Sequence, residues 1–437
     1  DKIVAICYTK NAKKNGGGIM QLNQITLQNY RGFKDIQFDF QGKSTVIYGI
    51  NGAGKSSVLR GINVLFARAV SKAVANQFKQ SVPISWDDVH FGTSIASIHG
   101  LFTFDGKEEY PYGLSYDKNT GKRLINKKNI FDFTEAFTSL YLVDGASLPV
   151  FAYYGVNRSV LDVPLRIRKK HEFGKLEAYQ NALKATTDFR TFFEWFRNQQ
   201  EIEDNTAREL GDFNYKCPAL EATKTAISAM LPGLTNIKIA HSPLRMCATK
   251  DGQTLTIQQL SDGEKCALAM LGDLARRLSL ANPESDNPLL GGGIVLIDEV
   301  ELHMHPSWQQ TIVSVLHEVF PNIQFIITTH SPIVLGRLNA DFKILKLEKM
   351  HGGDINLEEM TPAYYDTNLV LEDKMNTPSV PVEVQNIEHR MFDAIQNGEL
   401  DSARAFITQL SKMTNGSHPS ITEARLLVHR LSQKTGK

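Results

Sequence analysis

The amino-acid sequence predicts an α/β protein: a parallel sheet whose first strand feeds a glycine-rich loop, a lobe of mixed strands, a helical insertion and a C-terminal helical tail. Three observations predict it. The apolar run Thr45–Ile50 leads into the glycine loop Gly49–Ser56 and then into a helical pattern. A second apolar strand, Ile294–Ile297, ends in the paired carboxylates Asp298-Glu299. A third, Ile323–Thr328, follows after an intervening helix, which is the βαβ rhythm of a parallel sheet.

The chain has 437 residues, room for about three domains of ordinary size. Charged residues make up 22% and hydrophobic ones 42%, which excludes a mainly disordered chain. Lys+Arg number 48 against 47 Asp+Glu, so a globally basic nucleic-acid coat is excluded, although a local basic patch is not. Cys7, Cys217, Cys247 and Cys266 are far apart and form no CxxC pair. Neither a disulfide framework nor a zinc knuckle is supported, and a reducing cytoplasm is the natural setting. No apolar run reaches the ~18 residues of a membrane helix, so no membrane partner is expected.

Residues 1–19 read as a peripheral extension. Ile3–Cys7 is too short for a signal-peptide core, and Gly16–Gly18 is a flexible spacer. Leu22, Ile25, Leu27, Ile36, Phe38 and Phe40 predict two strands around a turn at Tyr30–Asp35. After the glycine loop, a helix from about Ser56 carries Val58, Leu59, Ile62, Leu65 and Phe66 on one face. Residues 93–117 read as antiparallel strands, with turns at Asp105-Gly106 and Asp117–Gly121, and Leu148–Tyr154 as another strand. A helical insertion is expected at about 162–230. Within it Phe189, Phe192, Phe193 and Phe196 fall at helical spacing, a buried helix face rather than a base-stacking platform. Strands return at Leu231, a helix begins at Ser261, and another spans Ser307–Val319. Three helices are expected in the tail, separated at Asn397-Gly398 and Asn415-Gly416, with a capping box at Ser420–Glu423. The expected layout is a head over 20–360 and a tail over 361–437.

Gly49-Ile50-Asn51-Gly52-Ala53-Gly54-Lys55-Ser56 matches the phosphate loop GxxxxGK[ST] between a strand and a helix. Backbone N–H groups of Asn51, Gly52, Ala53, Gly54, Lys55, Ser56 and Ser57 are placed to close around phosphate oxygens. Lys55 is expected to reach the β- and γ-phosphates of ATP, and the Ser56 hydroxyl to hold Mg²⁺. Asp298, at a strand end, is placed to hold Mg²⁺ through water, and Glu299 to polarise the attacking water. His303 and His305 are close in sequence, but with no third ligand they do not make a metal site.

Leu260-Ser261-Asp262-Gly263-Glu264 resembles the LSGGQ signature of ABC-type ATPases, departing at Asp262 and Glu264. The resemblance implies that Ser261 and Gly263 contact the γ-phosphate bound to a second head, hence a homodimer or higher oligomer sandwiching two nucleotides. Ser261 also suits a helix N-cap. His330, in Thr328-Thr329-His330-Ser331-Pro332, resembles the family's switch histidine, and Glu301–Pro306 its interface loop. The family's loop glutamine after Leu148–Tyr154 is missing; Asn157 or Arg158 stands where a substitute would be, which implies slow hydrolysis.

The opening Leu27-Gln28-Asn29-Tyr30-Arg31-Gly32-Phe33 resembles the start of SMC, Rad50 and RecF-like ATPases, where the arginine matching Arg31 lies near the nucleotide. Gly49 and Ser261 are 212 positions apart, too few for a long coiled-coil arm. The chain is more similar to compact AAA-15/AAA-21-type defence ATPases. The OLD nucleases of that group add a TOPRIM domain, whose strands and Asp-x-Asp are not found after His330. Tyr365–Glu372 and the tail pattern at Ala403…Leu410 and Ala424-Arg425 resemble PtuA-type ATPases of Septu and retron antiphage systems. That resemblance implies a partner HNH nuclease of PtuB type and, in retrons, a reverse transcriptase with its multicopy single-stranded DNA (msDNA). The tail is read as a docking element for such a partner or as a cover for a sheet edge. Arg166, Arg168, Lys169, Lys170 and Lys175 form the basic cluster open to nucleic-acid contact, with a solvated surface as its plainer reading. Two rival functions remain: a RecF-like repair ATPase that binds DNA directly, and a scaffold in which ATP is only a structural ligand.

Overall fold

The structure, a computed structural model, describes residues 19–73, 82–156, 158, 173–361 and 381–435, apart from isolated positions 105, 107, 339, 351, 415 and 417. The chain falls into two compact units, Asp1–Tyr364 and Tyr365–Lys437.

In the first unit, β1 (Met20–Tyr30) and β2 (Phe33–Asp39) form a hairpin. Its turn is only Arg31-Gly32, shorter than the sequence suggests, because both strands pair right up to Tyr30 and Phe33. β3 (Thr45–Gly49) is buried throughout and feeds α1 (Lys55–Ala73). β4 (Ile95–Phe104), β5 (Glu108–Asp117) and β6 (Lys122–Ile125) extend the hairpin into an antiparallel sheet of order β2-β1-β4-β5-β6. Its turns fall at Gly106 and Gly121, both in the left-handed region. α2 (Lys127–Tyr141) follows and was not anticipated. Its signal was present: Ile130, Phe133, Phe137 and Tyr141 are buried at helical spacing, and the Asn126 side chain accepts from the N–H groups of Lys128 and Asn129.

β7 (Val150–Tyr154) follows, buried throughout. Among the described residues the insertion yields α3 (Phe189–Leu210) and α4 (Pro218–Met230), with a short 3-10 turn at Lys175–Tyr179 before them. Phe189, Phe192, Phe193 and Phe196 are all buried, so the aromatic stripe is a packing face and unavailable for base stacking. β8 (Leu234–His241), β9 (Leu244–Lys250) and β10 (Gln253–Thr256) form a small antiparallel sheet ahead of α5 (Asp262–Ala281). α5 is buried along nearly its whole length, and Gly272 allows it to meet the Phe192 ring of α3.

β11 (Gly293–Ile297) and β12 (Ile323–Thr329) complete the parallel layer. The helix expected at Ser307–Val319 is broken into α6 (Pro306–Gln309) and α7 (Ile312–Val319). Thr311 stands between them as the residue before α7, its φ stretched to −118°, and its hydroxyl donates back to the Trp308 carbonyl at 3.3 Å. After α8 (Pro332–Leu335), β13 (Lys343–Lys349) and β14 (Ile355–Met360) add a hairpin that the sequence reading missed. The sheet order is β14-β13-β3-β12-β11-β7, with β13, β3, β12, β11 and β7 parallel. β12 therefore lies between the strand of the glycine loop and the strand of the paired carboxylates. Their carboxyl ends face one crevice, the place where open α/β sheets hold ligands. This is the α/β head with a parallel sheet and a mixed-strand lobe that the motifs led us to expect.

Behind the sheet lies a buried ionic group. Asp273 of α5 accepts from Arg276 at 2.8 Å, Arg277 at 2.7 Å and the Tyr154 hydroxyl at 2.9 Å. Burial pushes the Asp273 carboxyl up, but Arg277 and Arg276 outweigh it and hold the group below its ordinary range. Removing the carboxylate charge leaves two buried guanidiniums uncompensated. Asp273→Asn is expected to cost about 3–5 kcal/mol, read as a lowered midpoint in urea denaturation.

The second unit is described as three helices, Val382–Gln396, Leu400–Met413 and Pro419–Thr435, around a core that includes Met391, Ala403, Leu410 and Ala424. Gly398 and Gly416, both left-handed, make the turns. The capping box expected at Ser420–Glu423 does not form. The helix begins at Pro419, two residues earlier than a Ser420 cap requires, and the Ser420 hydroxyl instead donates to Glu388 of the first tail helix. Tyr365–Glu372 lies outside the described residues. Among the described residues no helix is long and apolar enough to cross a membrane.

Candidate nucleotide-binding site

The loop after β3 is shaped by its glycines. Gly54 sits at φ +99°, and a Cβ there would lie 2.6 Å from the Phe33 ring, so the hairpin of the mixed lobe packs directly on the loop. Asn51 and Gly52 form the exposed tip, while Ala53 is buried and donates to the Ile50 carbonyl at 3.2 Å. Among the described residues, the backbone N–H groups of Gly54, Lys55 and Ser56 have no acceptor. These are the orphan donors of a helix start, and they make an anion site of the first turn of α1.

Lys55 is almost buried. Its Nζ donates to the loop's own carbonyls, Gly49 at 2.7 Å and Ile50 at 3.0 Å, and lies 3.3 Å from His330 Nδ1. Burial pushes its ammonium down to about 8, against the opposing pull of Asp298, Glu299 and Glu301. An arriving phosphate would restore the charge by taking up a proton. Nucleotide affinity is therefore expected to hold steady below about pH 8 and to fall by up to tenfold per pH unit above it. Calorimetric titrations at pH 8.5 in buffers of different ionisation enthalpy should reveal the proton uptake.

The fit for Mg²⁺ is seen in two oxygens. Ser56 Oγ at the helix start and Asp298 Oδ1 at the end of β11 are 3.1 Å apart, joined by a hydrogen bond that a cation would replace. Thr328 of β12 donates to the same Asp298 oxygen at 2.5 Å and fixes the carboxylate from the other side. Glu299 stands next to it at φ +47°, with its N–H donating to Thr328 Oγ1 at 2.9 Å. His330 Nε2 lies 3.6 Å from Glu299 Oε1. Lys55, Ser56, Asp298, Glu299 and His330 thus come from three separate segments to one crevice.

Glu301 belongs to this group, although the sequence offered it no separate role. It accepts from Thr329 Oγ1 at 2.8 Å and from the His330 N–H at 2.6 Å, which pins the histidine's backbone. Asp88 was also missed. It is buried and joins Arg31 Nε at 2.8 Å and Arg60 Nη2 at 3.0 Å. Its burial works against ionisation, but hydrogen bonds from Arg60, the Ser85 backbone and Arg31 hold it well below the usual carboxylate range. Arg31 is thereby aimed at the loop, its Nη1 3.5 Å from Ser57 Oγ. No sequence motif joins residues 31, 60 and 88; only the packing does.

Ser261 and Gly263 are not drawn to their own phosphate loop. Ser261 caps α5 in a capping box, its N–H donating to Glu264 Oε2 at 2.9 Å and its Oγ accepting from the Glu264 N–H at 3.4 Å, and Glu264 pairs with Lys250 at 2.6 Å. Gly263 lies against the His303 carbonyl with no room for a Cβ. His303 is left-handed at φ +64°, and His305 caps α6, accepting from the Ser307 N–H. One expectation needs correction. Arg158, offered as a stand-in for the missing glutamine, is fully buried and donates to the carbonyls of Asp298, Glu299 and Val300, so it is turned away from the nucleotide. Lys175, placed in the basic cluster, donates to the Ala146 carbonyl. Asn157, Arg166, Arg168, Lys169 and Lys170 lie outside the described residues.

Residues 44–336 match the family described as "AAA domain, putative AbiEii toxin, Type IV TA system". The retron Ec83 probable ATPase of Escherichia coli is 31% identical over 393 residues, 76% of this chain and 72% of that protein. The retron Vc95 probable ATPase of Vibrio cholerae serotype O1 biovar El Tor is 30% identical over 384 residues, 74% of this chain and 72% of that protein. The Septu protein PtuA of Bacillus mycoides (strain KBAB4) is 39% identical over 90 residues, 20% of this chain and 12% of that protein. Matched by the family over well over half its length, the chain belongs to this AAA-domain family and is a relative of the retron Ec83 and Vc95 probable ATPases.

Proposed function

We propose that the chain is the ATP-binding, slowly hydrolysing switch of a retron- or Septu-type antiphage system, acting in the cytoplasm. The observation that carries the reading is the convergence of Lys55, Ser56, Asp298, Glu299 and His330 on one crevice. The orphan N–H groups of Gly54–Ser56 would take the phosphates, and Lys55 would leave its loop carbonyls for the β- and γ-oxygens. Mg²⁺, held by Ser56 and by Asp298, would neutralise charge between the phosphates. Glu299 would orient and deprotonate the attacking water, His330 would contact the γ-phosphate, and Arg31 would complete the binding surface beside Ser57.

Ser261 and Gly263 are engaged locally, with Glu264 and the His303 carbonyl, and a second head would bring its phosphate to them. Closure of that dimer would depend on γ-phosphate, which makes ATP the gate. We assign 20–360 to the head and 361–437 to a tail that docks a partner. The retron and Septu names of the relatives favour a defence-system partner; we take it to be an HNH nuclease of PtuB type, restrained until the nucleotide is lost or a phage trigger arrives. In a retron setting a reverse transcriptase with its msDNA would join the complex.

The burial of Arg158 favours a second reading, in which ATP closes a scaffold and turnover is incidental. The deciding experiment for partners is tagged purification from the native host with neighbouring genes intact, followed by mass spectrometry and nucleic-acid extraction. Recovery of an HNH protein, with or without a reverse transcriptase and its DNA, is expected. A lone dimer whose ATPase is stimulated by DNA would replace this reading with the RecF-like one.

A further inference from the structure

Arg158 follows β7 by four residues, and its side chain has no exposed surface. All five of its N–H groups find acceptors. Nη1 donates to the Asp298 carbonyl at 2.6 Å and to Gly155 at 3.5 Å. Nη2 donates to the carbonyls of Glu299 at 2.5 Å and Val300 at 3.1 Å, and Nε to Cys266 Sγ at 3.3 Å. Among the described residues every one of these acceptors is neutral. Burying a guanidinium among carbonyls is costly where an apolar side chain of similar volume would fill the space. Packing alone does not explain an arginine here.

Its location does. Glu299 holds a left-handed backbone that side-chain-bearing residues rarely adopt. Thr328 Oγ1 ties its N–H, and Arg158 ties its carbonyl. With the peptide groups on both sides fixed, the direction of its Cβ is fixed as well, and the carboxylate is held beside His330. The other edge of the guanidinium touches Cys266, which lies on α5 five residues after Ser261. Arg158 also accepts from Thr187 Oγ1 at 2.7 Å through its own carbonyl, just ahead of α3. One side chain therefore stands between the helix capped by Ser261 and the turn that presents Glu299.

We propose that Arg158 is a positioning residue for hydrolysis, setting the direction of Glu299 and passing to it the position of α5, so that turnover responds to what engages Ser261. The inference rests on the reading of Glu299 as the group that orients water.

The test uses the full chain with Arg158→Lys, which keeps the charge but loses the planar fork, and Cys266→Ala, which removes only the contact to α5. Nucleotide affinity, kcat and KM are measured together with hydrogen–deuterium exchange of the nucleotide-free protein. For Arg158→Lys, kcat is expected to fall about 100-fold, the order that a misplacement near 1 Å brings. KM and affinity should stay within about threefold. Exchange should speed up at the amides of Val300, Leu302 and Met304 but not along α1. Cys266→Ala should lower kcat several-fold with KM unchanged. Loss of affinity in step with kcat would assign Arg158 a merely structural role and overturn the proposal. Should Arg158→Lys not fold, Cys266→Ala decides, and an unchanged kcat there overturns it. Wild-type turnover with unaltered kinetics in Arg158→Lys removes this proposal alone. A wild-type protein that binds ATP without any turnover removes the reading of Glu299 and the proposal with it.

Discussion

A chain carrying Lys55→Ala is expected to lose ATP binding by at least about 100-fold. Lys55 Nζ is the cation at the loop, poised on the carbonyls of Gly49 and Ile50. Hydrogen bonds to charged groups contribute about 1.5–3 kcal/mol each, so losing two phosphate contacts gives at least that factor. The loss should not come from unfolding. Lys55 has its ammonium pushed down to about 8 by burial, so at pH 7 the folded chain carries the cost of keeping it charged. That cost is fully present below about pH 8 and is relieved as pH rises towards the ordinary lysine range. Removing the side chain should leave the thermal midpoint at pH 7 unchanged or slightly raised. Fluorescent-nucleotide titration beside a melting curve separates the two effects. Full affinity and full defence in the variant would end the switch reading.

Glu299→Gln is expected to lower kcat by 10²–10⁴, the usual worth of a general base, while ATP affinity stays within a few-fold. Glutamine keeps the shape of the side chain and can still meet His330, now 3.6 Å away. It cannot take a proton from water. With ATP present the heads should accumulate as closed dimers, visible by sedimentation velocity. Antiphage protection then separates the two readings of turnover. A variant that binds ATP, fails to hydrolyse and still protects its host identifies a scaffold; loss of protection identifies a switch that must reset.

Much of this site was legible from the sequence because its chemistry is local. Gly49–Ser56 is a contiguous loop, and its strand and helix flank it directly. Asp298 and Glu299 end an unbroken apolar strand, and His330 ends the next. Ser261 caps α5, as its residue type suggested, and Glu264 closes the capping box at short range. Alternation and helical periodicity in the same way marked β1 to β5 and the three tail helices. The misses were of two kinds. α2 and the β13–β14 hairpin had ordinary patterns that no motif pointed to. The break at Thr311 and the lost cap at Ser420 depended on a hydroxyl choosing its acceptor, Trp308 in one case and Glu388 in the other.

The sequence by itself determined the fold class, the phosphate loop and the carboxylates that complete it, because each is written in consecutive residues whose backbone geometry is fixed locally. Only the tertiary structure decided what holds those groups in place. Asp88 aims Arg31 from 57 positions away, and Glu301 pins His330 across the end of β12. Arg158, which sequence position suggested as a nucleotide contact, turned inward to the carbonyls of Asp298, Glu299 and Val300. The reason is physical: a buried polar group goes wherever its hydrogen bonds are satisfied, and that is settled by which distant segments the packing brings within about 3 Å.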